Sequence, residues 1–65
     1  MKNIMRRLRF DQGKTLDDLW LLTKIRQSRL SLLEREYIEP SKEDMKKIAQ
    51  ALKVSIRKVF PNEKS

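Results

Sequence analysis

The stretch from Thr15 to Arg35, TLDDLWLLTKIRQSRLSLLER, constrains this chain more than any other part of it. It reads as two short amphipathic helices separated by the tight break Thr23-Lys24-Ile25-Arg26. Thr15 is a good N-cap, and Asp18, three residues on, sits where an acidic side chain favours the exposed N–H groups of a first turn. The second helix, Gln27 to Arg35, has two chemically different faces. At about 100° per residue, Leu30 and Leu33 point one way while Gln27, Ser28, Ser31 and Arg35 cluster nearly opposite. A polar, donor-rich face on a short helix that follows a tight turn has the outline of a helix-turn-helix.

The rest of the chain must frame that unit with little material. At 65 residues it supports one domain, spanning 1–65, and a domain of this size buries only about 60% of its unfolded surface. With neither cysteine nor histidine, it has no disulfide and none of the usual zinc spacings, so neither a metal nor a cofactor is expected. No apolar run approaches the roughly 18 residues of a membrane span, and no signal-peptide core is legible, so a cytoplasmic protein without membrane partners is expected. Sixteen Lys and Arg against nine acids give a net charge of +7. Such a balance points to an anionic partner, of which nucleic acid is the commonest for a small domain.

Val and Ile are scattered singly, without period-two alternation, so the chain is read as all-α. Five helices are predicted, over about 3–10, 16–23, 27–35, 42–52 and 56–60. In the first, Ile4 and Leu8 share a face, and Gly13 provides a left-handed exit. The second turns Leu19 and Thr23 inward, flanked by Leu16, Trp20 and Leu22. Ile38 plugs the core from the loop 36–40, and Pro40 keeps Glu39 extended. Ser41 with Asp44 repeats the cap signature of Thr15 and Asp18, and Met45, Ile48, Ala49 and Leu52 form a buried stripe. Ser55 caps a last short helix that Pro61 stops, and 62–65 is expected to fray. The expected core is Ile4, Leu8, Leu19, Ile25, Leu30, Leu33, Met45, Ile48, Leu52, Ile56 and Phe60.

One ordered set of residues runs from Ile4 to Phe60 without a gap. It comprises Ile4, Leu8-Arg9, Gly13, Thr15, Leu19, Leu30-Ser31, Leu33-Glu34-Arg35 and Pro40-Ser41, then Lys47 to Leu52, Val54-Ser55 and Phe60. In that pattern the chain resembles the phage-repressor and Cro-like helix-turn-helix regulators, the XRE family. The resemblance implies a five-helix, lambda-repressor-like DNA-binding domain whose second helix-turn-helix member enters the major groove. It also implies an ion pair between Arg9 and Glu34. Four positions depart from the family pattern. Trp20 stands where a small residue is usual, so either the helices splay or the indole swings to the edge. Lys24 and Glu36 replace glycines, and Leu16 replaces a polar residue.

On this reading the partner is double-stranded DNA and the function is sequence-specific transcriptional regulation, as a repressor. Gln27 and Ser28 lie at the groove-facing end of the recognition helix, where glutamine can bond adenine N6 and N7. Ser31 donates or accepts. Leu32 either packs on a thymine methyl or makes a contact within the protein. Arg26, Arg29 and Arg35 reach bases or phosphates, and Thr15, Tyr37, Ser41 and Lys42 are the phosphate candidates. A homodimer would have to draw on Ile56, Val59 and Phe60, although the core claims at least two of them. The rival function is a protein-interaction module using Leu16, Trp20, Leu21, Leu22 and Leu32. An enzyme is not expected, because the acids fall in caps and no converging catalytic set exists.

Overall fold

A computed structural model describes residues 3–61. Among these residues the chain forms five helices: α1 (Met5–Asp11), α2 (Leu16–Thr23), α3 (Gln27–Glu34), α4 (Lys42–Ala51) and α5 (Ile56–Val59). The expected fraying of 62–65 falls outside the described residues. Helix bounds differ from expectation by one or two residues. α1 starts at Met5, with Ile4 as its N-cap, while Arg35, Leu52 and Phe60 become the C-caps of α3, α4 and α5.

The starts of α2 and α4 are set by reciprocal capping boxes. Thr15 Oγ1 accepts from the Asp18 N–H at 3.1 Å, and Asp18 Oδ2 accepts from the Thr15 N–H at 2.9 Å. Ser41 and Asp44 repeat the arrangement at 3.1 and 3.4 Å. Each box satisfies donors that a helix start leaves orphaned.

The helix ends share a device as well. Gly13, Lys24, Glu36 and Lys53, which follow α1 to α4, all sit in the left-handed region, with φ of 66°, 64°, 65° and 58°. After α1, α3 and α4 the chain closes with a pair of bonds to the last carbonyls, as in Tyr37 N–H to Leu32 O at 3.0 Å and Glu36 N–H to Leu33 O at 3.1 Å. That closure needs a left-handed residue, and only the first of the four is glycine.

The core consists of Met5, Leu19, Ile25, Leu30, Leu33, Met45, Ile48, Ala49, Ala51, Leu52, Val59 and Phe60. Leu8, Leu16, Ile38, Val54 and Ile56 pack against it while partly exposed. Two expectations are corrected here. α1 buries Met5 and Arg9, so Ile4 and Leu8 are displaced to the margin. α5 buries Val59, with Phe60 behind it, and leaves Ile56 half-exposed. Both follow from the joining of the two ends of the fold, where the Ile4 N–H donates to Val59 O at 3.0 Å. Trp20 and Leu22, expected beside the buried face of α2, are exposed instead. The indole has gone to the edge, so α2 and α3 still pack closely.

Candidate nucleic-acid interface

The turn between α2 and α3 is locked by one hydroxyl. Buried Thr23 donates through Oγ1 to Leu19 O at 2.7 Å and accepts from the Ile25 N–H at 3.1 Å. Lys24, left-handed, returns its N–H to Trp20 O at 2.7 Å. Ile25 then enters the core, which fixes where α3 begins. Leu30 and Leu33 anchor α3 from below and are fully buried. Apart from Glu34, the polar residues of α3 are thereby turned outward or to its edge.

Arg26, Gln27, Ser28, Arg29, Leu32 and Arg35 are exposed, and Ser31 is half-buried. Arg26 is the N-cap residue and its side chain makes no capping bond. The helix therefore opens toward solvent with a cationic residue and three further donor-bearing side chains in its first turn.

Two α3 side chains are held by acids on neighbouring helices. Gln27 Nε2 donates to Asp17 Oδ1 in the first turn of α2. Arg29 Nη2 lies 2.7 Å from Asp44 Oδ2, in the capping box of α4. Burial pushes the Asp44 carboxyl upward. Hydrogen bonds from Arg29 and from the Ser41 backbone, the Arg29 charge and the Ser41 hydroxyl outweigh it, and the carboxyl sits below its ordinary range. Arg29 still has other guanidinium donors free of this bond.

Behind α3, Arg9 pairs with Glu34 through Nε to Oε2 at 2.7 Å and Nη2 to Oε1 at 3.2 Å. The flanking candidates occupy both ends of the helix-turn-helix. Thr15 is exposed at the start of α2, and Ser41 and Lys42 are exposed at the start of α4. Tyr37 is exposed in the loop after α3, with the Arg35 guanidinium 5.9 Å from its ring centroid. A cleft between α1 and α3 is lined by Arg6, Leu16, Ser31 and Arg35, together with the Arg9–Glu34 pair.

The helix-turn-helix family model matches residues 4–59, which covers all five helices. The chain belongs to the phage-repressor and Cro-like, XRE-type helix-turn-helix family. Comparison with curated proteins finds no match. As a member of this family it is a DNA-binding regulator.

Within the helix-turn-helix domain, three acids and bases that matter to the site escaped the sequence reading as such. Asp44 read only as a cap, and Asp17 and Arg6 were given no part in the site. None has a local signal. Asp17 is ten residues from Gln27, Arg29 is fifteen from Asp44, and no helical spacing joins either pair. Of the apolar residues expected to be free on α2, Leu21 and Leu22 are 57% and 58% exposed and Trp20 42%. Leu16 is not among them, because it leans on the core.

Proposed function

We propose that this helix-turn-helix domain is a repressor that reads a specific operator by laying α3 in the DNA major groove. The carrying observation is that α3 buries Leu30 and Leu33 and exposes Arg26, Gln27, Ser28, Arg29 and Arg35 on its free side. Gln27 and Ser28 supply base-edge hydrogen bonds, with adenine as the match for Gln27. Arg29 and Arg35 supply guanine or phosphate contacts, and Ser31 and Leu32 line the groove beside them. Leu32, 38% exposed, is available for a thymine methyl. Thr15 on one side, and Tyr37, Ser41 and Lys42 on the other, bracket α3 as contacts to the two phosphate backbones.

A domain this small touches few base pairs, which favours two copies on a palindromic site with half-sites about 10–10.5 bp apart. Val59 and Phe60 are fully buried, so of the three apolar candidates Ile56 alone remains to meet a second copy. The exposed Trp20, Leu21 and Leu22 support a second reading, in which this face of α2 docks a protein partner.

Selection of binding sites from a random duplex pool, with affinity followed against ionic strength, tests both readings. The repressor reading expects an enriched motif and a log–log salt slope of about −0.9 for each phosphate neutralised. Failure of random duplex to bind at low salt would sink it and leave the protein-docking reading standing.

A further inference from the structure

Gln27, the first residue of α3, is tied to the first turn of α2. Its amide nitrogen donates to Asp17, and its side chain lines one surface groove with Trp20 and Arg26. Asp17 and Trp20 are three residues apart, so they project from the same side of α2 toward the start of α3. The cap of α2 does not use Asp17, because Asp18 closes the box with Thr15.

We propose that Asp17 is a positioning residue that fixes the orientation of the Gln27 amide and so makes Gln27 discriminate for adenine. The chemistry of the two groups carries the argument. A glutamine amide has a donor end and an acceptor end of nearly the same shape, and a free one presents either. An ionised aspartate only accepts. It therefore holds Nε2 and repels Oε1, since the flipped amide would set two acceptors against each other. With Nε2 held, the carbonyl oxygen and the second N–H remain, which are the acceptor and donor that adenine N6 and N7 require.

The inference rests on the recognition-helix reading, and the test separates the two. Binding sites are selected from a random duplex pool with the unaltered domain and with Gln27→Ala, Asp17→Asn and Asp17→Glu. Gln27→Ala should erase an adenine preference at one position of each half-site. Asp17→Asn, whose own amide can turn either end toward Gln27, should weaken that same preference roughly fivefold or more. Removal of a negative charge from the DNA-facing side should leave its affinity for bulk DNA equal or higher. Asp17→Glu, still acceptor-only, should keep most of the preference. That pattern of lower discrimination without lower affinity is not produced by a general loss of structure.

If Gln27→Ala changes the motif and Asp17→Asn does not, the positioning role is overturned and the recognition reading stands. If neither changes it, both fall. Should Asp17→Asn fold poorly, the Gln27 side-chain amide signals in the NMR spectrum of the unaltered domain provide the check. A hydrogen-bonded, conformationally single amide is expected, and an averaged one would overturn the proposal.

Discussion

Arg9 and Glu34 meet as a bidentate pair with side chains only 9% and 6% exposed, at Nε–Oε2 2.7 Å and Nη2–Oε1 3.2 Å. Arg9 Nη1 also donates to Lys14 O at 3.0 Å, so a single guanidinium joins α1, the loop before α2 and the end of α3. Removal of one partner strands the other charge, which typically costs about 3–5 kcal/mol. Arg9→Met should therefore lower the thermal midpoint by more than ~10 °C, since about 1 kcal/mol moves a domain of this size by 4–8 °C. The double variant Arg9→Met, Glu34→Leu should recover much of the loss, because two apolar groups leave no buried charge unpaired. An unchanged midpoint in the single variant would show that the pair contributes nothing.

Asp44 links stability to pH. Its carboxyl is held below the ordinary carboxylate range despite the upward push of burial, through Arg29 and Ser41. A group with a depressed folded-state pKa stabilises above its unfolded pKa, and that stability disappears as pH falls through the folded value. Asp44→Asn should accordingly lower the midpoint at pH 7. The gap to the unaltered domain should begin to narrow near the ordinary carboxylate pKa of about 4 and close as pH falls through the lower folded value, below which the carboxylate is lost in both states. Thermal denaturation of the two proteins across pH 2–7 (on the order of one unit per step) measures it. A constant gap would mean that Asp44 acts through shape and not through charge.

The left-handed exits can be tested as a mirrored pair. Lys53 stands at φ 58° with a side chain that disfavours the left-handed region by about 1–2 kcal/mol. Glycine removes that strain but adds freedom to the unfolded chain, so Lys53→Gly should gain up to ~1 kcal/mol. Gly13 stands at φ 66° with open space where a Cβ would go. Gly13→Ala should lose about 1 kcal/mol from backbone strain alone. Glu36→Gly should gain less than Lys53→Gly, because Glu36 Oε2 also accepts from the Asn3 N–H at 3.1 Å. Chemical denaturation midpoints give all three.

What the sequence made legible was local, and what it hid was long-range. Thr15 with Asp18 and Ser41 with Asp44 announce the starts of α2 and α4 because each cap lies within four residues. The stripe Met45, Ile48, Ala49, Leu52 is equally self-contained, and all four are buried. α1 is different. Ile4 and Leu8 look like its inner face, whereas Met5 and Arg9 occupy the interior. An arginine turns inward only if a carboxylate waits for it, and Glu34 is 25 residues away. The family resemblance, not the periodicity of α1, supplies that pair. Lys24 and Glu36 stand where the family carries glycine, so their left-handed backbone could be anticipated. Lys53 has no such marker. The Asp17–Gln27 and Arg29–Asp44 bonds join helices whose relative placement must be known first, so no spacing rule reaches them.

Lys42 separates phosphate binding from base reading. It is exposed at the first position of α4, beside Ser41, and the capping box there is made by Ser41 and Asp44 without it. Lys42→Ala should therefore alter stability by no more than about 0.5 kcal/mol. If the start of α4 lies over the DNA backbone, the variant loses one phosphate contact and no sequence information. Affinity should then drop for every duplex alike, the selected motif should stay the same, and the salt slope should flatten by about 1. Fluorescence anisotropy titrations of a selected and a scrambled duplex at several salt concentrations measure all three quantities. A drop confined to the selected duplex would move Lys42 from the backbone to a base edge. An unchanged slope would remove the start of α4 from the interface and shift the backbone contact toward Tyr37 and Arg35.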